Sequence, residues 1–352
     1  MTHAMEIDDP RAAFANQVAY CRANGAPITA RVVEAILHAF DGPGAFVATL
    51  RAWPGKSMAD ALPLRAAAGL HALTLSGKAP ALAPLYAGKA AAMADADARV
   101  ADAIARHDAE LLPWLDGPPQ TNEAGRSSNY IAALLWLADR GLPARFECIE
   151  IGSSAGINLM LDRYRYDLGG VTIGPADAAM RLAPEWRGTP PPGGDIAFES
   201  VRGCDVAPVD LTDPAQLLRL KAYVWPEHRE RFARLDAAAA AARVAKPDLV
   251  EADADMFVAA ALARPQPAGT TRVLMHTIVW QYLGAERQAR ITAAMARAGA
   301  AARAERPLAW VTVEANRATF RHELTLRYWP DGGEPHTLAY AHPHGAWIEW
   351  LA

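Results

Sequence analysis

The chain has 352 residues, of which 52% are hydrophobic and 21% charged, and its formal net charge at pH 7 is −4. That length is enough for one large domain or two, each with its own core. The weak negative charge gives no electrostatic basis for binding nucleic acid. No apolar run approaches the length of a membrane span, and the first ten residues are polar rather than signal-like. The three cysteines, at positions 21, 148 and 204, form no CxxC motif. These features predict a cytoplasmic protein with reduced thiols.

Residues 1–140 are predicted to form an all-helical N-terminal cap domain. Alanine and leucine are abundant there, and apolar residues recur at helical spacing. Prolines separate the helical segments. The predicted helices are Arg11–Ala23, Ile28–Phe40, Met58–Leu75 and Ala90–Leu112.

The cap ends in an unusually polar segment, residues 120–130, which lies between two apolar helices. One interpretation is a solvated loop in which Ser127 or Ser128 caps the next helix, and this is the favoured one. The other is that its side chains line a site, since the segment directly precedes the first strand and could fold over it. Asn122, Glu123 and Arg126 are therefore candidate substrate-binding residues.

The stretch Phe146–Leu159 is the central feature of the sequence. It begins with a short, mostly apolar run suited to a buried parallel strand, and this run ends in an acid, Glu150. Gly152 and Gly156 follow, and after them comes a helix-like segment, Ile157–Tyr164. A strand, a glycine turn and a helix N-terminus form the part of α/β folds that binds nucleotide-like ligands.

Four interpretations of this glycine turn are open. A dinucleotide fingerprint, GxGxxG, is weakly supported because Ser154 stands where the middle glycine would be. Gly152–Gly156 also matches GxSxG, the nucleophile elbow of α/β-hydrolases. An acid followed by GxxxG after a first strand is the opening motif of Rossmann-like methyltransferases that use S-adenosylmethionine (SAM). The fourth interpretation is a turn that only packs a helix onto a strand.

Downstream of this turn, strands and helices alternate. Turn-forming residues first dominate residues 165–194, which predicts a loop-rich excursion on the ligand side of the sheet that could act as a substrate lid. Four strands are then predicted. They are Ile196–Val201, a short strand that begins at Leu249, Thr271–Ile278 and Leu308–Glu314. The predicted helices between and after them are Pro214–Tyr223, Pro226–Val244, Met256–Leu262 and Glu286–Ala302. Two final strands, Glu323–Trp329 and Gly345–Leu351, are predicted to be joined around Gly332 and Gly333.

The alternation predicts an α/β fold with a mainly parallel sheet and right-handed crossovers. Residues 141–352 are expected to form a Rossmann-like, methyltransferase-type SAM-binding domain whose sheet ends in an antiparallel hairpin. An α/β-hydrolase would need several strands before its elbow, and the residues before 146 supply almost none. This weighs against Ser154 as a nucleophile.

Two family resemblances follow from these segments. The chain from Phe146 onward resembles the class I SAM-dependent methyltransferase fold. The whole chain resembles the bacterial family of uncharacterised proteins known as DUF2332. The segments that carry this second resemblance are Gln120–Glu123, Glu150–Leu159, Asp162–Tyr164, Tyr223–Pro226, His276–Tyr282 and His342–Gly345.

The methyltransferase resemblance implies a cofactor site made by the ends of the first three strands. It implies that Glu150, Gly152 and Gly156 surround the methionine part of SAM. Ser153, Ser154 and Asn158 are further candidate cofactor-binding residues of the same turn. It also implies that Asp205 binds the ribose hydroxyls and that Asp253 lies near the adenine.

The chemistry of these two acids leaves alternatives open. One carboxylate can accept two hydrogen bonds from a ribose diol, which suits Asp205 at the end of a strand. Asp205 could equally begin a turn before Pro208. Of Asp253 and Asp255, one is expected to cap the next helix.

His276 is the candidate catalytic residue. It is predicted at the exit of a buried strand, on the side where α/β sheets bind ligands, and could act as the general base for a methyl acceptor. A hydrogen-bonded core histidine is the alternative. Trp280 and Tyr282 could wall the acceptor pocket or pack only.

The sequence therefore predicts a SAM-dependent methyltransferase acting on a small molecule, with little covalent help needed from the protein. The alternatives are a protein that binds a SAM-like ligand without transfer chemistry and, less favoured, a Ser154 hydrolase. A metal site is not expected, because His342 and His344 lack an HExxH helix or matching cysteines. Their turn is expected to close the terminal hairpin.

Overall fold

The computed structural model of the protein describes residues 7–352, which form two compact units. One unit extends to Thr121 and also contains Asp213–Ala233. The other contains Asn122–Thr212 and Arg234–Ala352. From Asn122 onward, the polar segment and the helix after it, predicted to lie in the cap, therefore belong to the second unit.

The first unit is helical throughout its described part, as the sequence predicts. Apolar side chains such as Phe14, Ile36, Phe46 and Leu70 form its fully buried core. The predicted helix Ala90–Leu112 is instead divided into three short helices. The helices are α1 (Pro10–Ala23), α2 (Pro27–His38), α3 (Ala45–Arg51), α4 (Leu62–Leu75), α5 (Ala83–Tyr86), α6 (Ala90–Ala94), α7 (Ala96–Arg106), α8 (Asp108–Leu111) and α10 (Pro214–Ala222), and α11 (Arg229–Val244) begins here.

A nine-stranded mixed sheet is the centre of the second unit. Its order is β5-β12-β11-β10-β9-β8-β1-β6-β7, and five of the eight strand pairs are parallel. The mainly parallel α/β sheet predicted from the sequence is confirmed. The strands are β1 (Arg145–Ile151), β5 (Glu185–Arg187), β6 (Ala197–Asp205), β7 (Asp248–Glu251), β8 (Thr271–Thr277), β9 (Leu308–Asn316), β10 (Arg321–Trp329), β11 (His336–Ala341) and β12 (Trp347–Trp350).

Helices cover both faces of this sheet. On one face, here the α13 face, α12 (Ala254–Ala263) and α13 (Gly284–Ala300) pack with strand residues such as Ile149 and Leu274. On the other, the α9 face, α9 (Ser127–Asp139) packs its Trp136 ring against Tyr328 of β10. Because successive side chains of a strand point to opposite faces, each strand contributes alternate residues to the two layers.

The segment after the glycine turn differs from the sequence prediction. Residues Ile157–Arg163 form a 3-10 helix interrupted at Met160, instead of an α-helix. The Tyr164 hydroxyl donates to the Ile157 carbonyl at 2.9 Å, which ties the end of the segment back to its start. The loop-rich excursion then contains a small separate sheet of β2 (Arg165–Leu168), β3 (Val171–Ile173) and β4 (Arg181–Leu182).

The C-terminal strands correct a second prediction. Gly332 and Gly333, at φ +80° and +74°, close a turn from β10 to β11, so they do not join β10 to the last strand. The strand β11 was not predicted from the sequence. The turn that ends at Gly345 then leads into β12, which lies between β11 and β5. The chain thus ends in an antiparallel meander rather than a single hairpin.

No helix within residues 7–352 combines the length and the apolar composition that crossing a membrane requires.

Candidate functional site

The glycine turn lies at the carboxyl end of β1, between β8 and β6. Gly152, Ser154 and Gly156 have φ values of +67°, +52° and +70°, so the turn takes three left-handed residues in five positions. A Cβ at position 152 would lie 2.3 Å from Val279 Cγ2, which only glycine avoids. Ser154 has no such freedom, and a strained non-glycine residue of this kind is typical of functional turns.

Glu150 is the buried acid at the start of this turn. Its Oε1 accepts hydrogen bonds from the Tyr130 hydroxyl at 3.1 Å and from Asn158 Nδ2 at 3.2 Å. Its Oε2 is buried and has no partner among residues 7–352. Burial raises the pKa of Glu150 to about 7. The hydrogen bonds to this group lower the pKa, but by less than burial raises it. This carboxyl group can therefore change its protonation near neutral pH.

Four more buried polar atoms, on α9 and around the turn, lack a hydrogen-bond partner in the described chain. They are Ser128 Oγ, Asn129 Oδ1, Ser154 Oγ and Asn158 Oδ1. Buried polar atoms normally have partners, and leaving one without a partner costs about 1–3 kcal/mol. A run of such atoms on α9 and around the turn is the arrangement that a bound polar ligand would satisfy.

Asp205, at the end of β6, contacts the same turn. Its Oδ2 accepts the backbone N–H of Ser154 at 2.8 Å, and its Oδ1 accepts that of Ala207 at 2.9 Å. Ser153 donates from its hydroxyl to the Glu150 carbonyl at 3.3 Å. Each carboxylate oxygen of Asp205 keeps a further lone pair for a ligand. Asp205 thus has both a turn-forming contact and free acceptor capacity.

The polar segment before α9 is buried, so the favoured prediction of a solvated loop is wrong. Asn122, Glu123 and Arg126 are each less than 10% exposed. Asn122 Oδ1 accepts the N–H of Ile157 at 2.9 Å, directly after Gly156. Arg126 Nε donates to the Pro343 carbonyl at 2.7 Å. The first turn of α9 has no side-chain cap, and Ser127 Oγ donates to the Ala124 carbonyl instead.

Asp253 follows β7, whose end lies beside that of β6: the Ala252 N–H donates to the Asp205 carbonyl at 3.0 Å. Asp253 precedes α12 without accepting a capping hydrogen bond and forms an ion pair with Arg287 at 2.7 Å. Asp255 is paired with Arg290, also at 2.7 Å. Tyr282 is 73% exposed, so its ring walls no pocket.

His276 lies in a different place, on the α13 face. Its side chain is 2% exposed, and its Nδ1 is 2.7 Å from Glu314 Oε1 on β9. The Trp280 ring stacks on it at 5.1 Å with an interplanar angle of 12°. Both residues line a cavity of about 320 Å³ over β8, β9 and β10. His276 and Trp280 therefore share a site, but Glu150 is not part of it.

The Ser154 hydroxyl lacks the partner that a hydrolase needs. A serine nucleophile is activated by a base within hydrogen-bond reach. Ser154 Oγ is buried with no hydrogen bond to any described residue, histidines included. The described chain also contains no group of three or more side chains arranged to hold a metal ion. The His342 and His344 rings contact each other at 5.6 Å in the turn before β12.

A family model described as "Uncharacterized protein conserved in bacteria (DUF2332)" matches residues 11–350. The chain belongs to the DUF2332 family. The resemblance seen in the sequence is thus confirmed for this family. No curated protein and no solved structure matches the chain.

Several side chains of this DUF2332 site were not predicted from the sequence. Tyr130, the last residue of the polar segment, was not among the candidates, although its hydroxyl donates to Glu150 Oε1. Glu314 and Trp310 lie on the same face of β9 as Thr312, and all three line the cavity. The alternation of Trp310, Thr312 and Glu314 with buried apolar residues was a usable signal.

Proposed function

We propose that this DUF2332 protein is a SAM-dependent methyltransferase acting on a small molecule. The observation that carries the proposal is Glu150, a fully buried carboxyl group with one unpartnered oxygen directly before a glycine turn. A buried acceptor of this kind is suited to the ammonium group of a methionine moiety, because a charge-assisted hydrogen bond offsets the desolvation free energy of the two groups.

The position of the turn in the sheet supports the same proposal. Among the parallel strands the order is β7-β6-β1-β8-β9, which is 3-2-1-4-5 in chain order. After β1 the chain continues to β6 and β7 on one side of β1, and it then crosses to β8 and β9 on the other side. Doubly wound sheets bind ligands at the carboxyl ends of their strands where the order reverses in this way. The turn Gly152–Gly156 lies at that point.

Asp205 supplies the second half of the proposed cofactor site. Ribose hydroxyls need acceptor atoms, and each carboxylate oxygen of Asp205 accepts only one backbone N–H. Asp253 is a weaker candidate for the adenine end, because Arg287 already occupies its Oδ1. Ser154 Oγ and Asn158 Oδ1 add polar atoms that a ligand could bond.

Methyl transfer depends more on the alignment of the methyl donor and acceptor than on covalent catalysis by the protein. The sulfonium of SAM supplies an activated methyl group, so the protein has to orient donor and acceptor and exclude water. The residues of this chain that would do so are the backbone of the turn, Glu150 and Asp205. We call Glu150, its partners Tyr130 and Asn158, and the turn Gly152–Gly156 the Glu150 cluster. Among the described residues no histidine forms a hydrogen bond within this cluster, so a general base for the acceptor would come from outside it.

The test is calorimetric titration of the purified protein with SAM and with S-adenosylhomocysteine. We expect micromolar dissociation constants for both, weakened about tenfold or more in Glu150→Gln and Asp205→Asn, since a hydrogen bond to a charged group contributes about 1.5–3 kcal/mol. Asp177→Asn is the matched control, because Asp177 is exposed in the excursion, outside the proposed site. Absence of binding by folded protein contradicts the proposal.

Two further outcomes of this experiment separate the alternatives. Binding of both ligands without release of S-adenosylhomocysteine in the presence of nucleophilic acceptors would favour a ligand-binding protein. Labelling of Ser154 by a fluorophosphonate, abolished in Ser154→Ala, would instead favour a hydrolase.

A further inference from the structure

The cavity on the α13 face is distinct from the Glu150 cluster. It has a volume of about 320 Å³, at the lower end of the range for small-molecule sites. Three strands, helix α13 and the 3-10 helix that begins at Trp280 supply its walls, and the lining side chains include His276, Trp280, Trp310, Glu314 and Arg327.

Glu314 fixes the protonation pattern of the His276 ring. Its Oε1 accepts from His276 Nδ1 at 2.7 Å and from the backbone N–H groups of Val279 and Trp280 at 3.1 and 3.3 Å. A carboxylate oxygen that accepts from Nδ1 requires the proton to be on that nitrogen. The lone pair of the neutral ring is therefore on Nε2, which is buried and has no partner among residues 7–352.

Aromatic rings make the walls of the cavity. Trp280 stacks on the His276 ring, and Trp310 meets Trp280 edge to face at 5.4 Å. Trp310 is 6% exposed, and its indole Nε1 has no acceptor in the described chain. Flat apolar surfaces with a few polar atoms favour a planar ring.

Arg327 places a positive charge at the rim. It is paired in register with Trp310 across the β9–β10 ladder. Its side chain is exposed and forms no ion pair within the part of the chain described here. Arginine binds carboxylates through two parallel hydrogen bonds, which gives this end of the cavity a preference for an anionic group.

Strain in the backbone supports a binding role for this cavity. Ile278, which connects β8 to Val279 and Trp280, has φ +52°. A β-branched residue in the left-handed region is a genuine outlier, and such strain is concentrated at functional sites. The strained residue brings the N–H groups of Val279 and Trp280 onto the Glu314 carboxylate that holds His276.

We propose that this cavity binds a single-ring hydroxyaromatic carboxylate, with His276 as the hydrogen-bond acceptor for its hydroxyl group. The carboxylate pairs with Arg327 and the ring lies against Trp280 and Trp310. The ligand hydroxyl donates a hydrogen bond to His276 Nε2, while Glu314 accepts from the N–H at Nδ1. This binding does not depend on SAM.

The test is titration of the full-length protein with 3- and 4-hydroxybenzoate, using benzoate and phenol as comparison ligands, followed by saturation-transfer NMR and calorimetry. We expect a hydroxybenzoate to bind about tenfold more tightly than benzoate or phenol, because each of these lacks one of the two polar contacts. Arg327→Met should weaken hydroxybenzoate and benzoate about tenfold and leave phenol unchanged.

Two variants complete the test. His276→Phe keeps a ring for stacking and should reduce hydroxybenzoate affinity to that of benzoate. Arg317→Met is the matched control, because Arg317 is exposed in the turn between β9 and β10 and does not line the cavity, and it should bind like the wild type. If His276→Phe does not fold, Arg327→Met decides alone. Failure of folded wild type to bind any hydroxybenzoate, or unchanged affinity in Arg327→Met, would overturn the proposal, whatever the result with SAM.

Discussion

Glu150 and His276 occupy neighbouring positions on adjacent parallel strands, and their side chains leave the sheet on opposite faces. Glu150 is in register with Met275, one residue before His276. Glu150 contacts Tyr130 of α9, whereas His276 follows the alternation of Leu274, which packs with α13. The carboxyl ends of these two central strands therefore carry two polar sites, one on each face of the sheet. The segment after β8 joins them, since Val279 lies against Gly152 and Trp280 against His276.

The first prediction concerns Glu150 and stability. Its pKa is raised from 4.5 to about 7, so the folded state favours the protonated form. The unfolded chain releases that proton above pH 4.5, and stability is therefore lost as pH rises from about 4.5 to 7. Glu150→Gln removes this loss, and we expect the free energy of unfolding at pH 8 to rise by up to about 3 kcal/mol. Denaturant unfolding at pH 4 and pH 8 measures the difference, which should be near zero at pH 4.

Glu147 provides the control for this change, because it is a buried acid of the same strand with the opposite role. Its Oε2 lies 2.9 Å from Arg272 Nε, and both side chains are at most 10% exposed. Glu147→Gln leaves the arginine buried without its counter-charge, which should lower the free energy of unfolding by about 3–5 kcal/mol. Equal effects of the two substitutions at pH 8 would contradict the opposite roles of the two buried acids.

The second prediction links the same carboxyl group to ligand affinity. A protonated Glu150 cannot pair with an ammonium group, so binding of SAM at this site requires the ionised form. Because the pKa of Glu150 is about 7, the dissociation constant should be roughly tenfold higher at pH 6 than at pH 7.5. Calorimetry at both pH values in two buffers measures the affinity and the released proton. A dissociation constant independent of pH would show that Glu150 does not contact the charged end of the ligand.

The glycine turn, its acid and the parallel sheet can be predicted from the sequence, because they depend on local patterns of apolar residues, glycine and charge. The same patterns predict His276 beside Glu150, because both residues end buried strands. The two side chains point to opposite faces because Glu150 of β1 is paired with Met275 of β8 and not with His276. This register is a tertiary property that the sequence of one strand does not encode. The burial of Asn122 could not be predicted for a similar reason, since its partner, the Ile157 N–H, lies 35 residues later.

The third prediction tests the close approach of Val279 to the glycine turn. Gly152→Ala combines a left-handed φ of +67° with a Cβ only 2.3 Å from Val279 Cγ2. We expect it to lower the free energy of unfolding by about 2–4 kcal/mol, from backbone strain and overpacking together. Gly141→Ala, at φ +84° with open space around the new Cβ, isolates the strain and should cost only about 1–2 kcal/mol.

A double variant identifies the packing part of that cost. Adding Val279→Ala to Gly152→Ala removes the clashing methyl groups, so the pair should be more stable than the sum of the two single effects predicts. Additive effects within about 0.5 kcal/mol would mean that the two residues do not touch.

The fourth prediction concerns His71 in the helical unit. The ring is buried, stacks on Tyr86 at 4.7 Å, and its Nδ1 lies 3.1 Å from the Ala222 carbonyl. Burial lowers the pKa of His71 from 6.5 to about 4, so the folded state favours the neutral ring. The unfolded chain takes up the proton below pH 6.5, and stability is lost as pH falls from about 6.5 to 4, by at most about 3 kcal/mol. His71→Asn keeps an amide near the Ala222 carbonyl but cannot titrate, so the difference in unfolding free energy between wild type and variant should shrink over this range as the pH falls. Glu150 changes stability in the opposite direction over much of the same range, which is why the comparison uses the variant and not the wild-type curve alone. A difference that stays constant between pH 4 and 7 would show that His71 is protonated equally in both states.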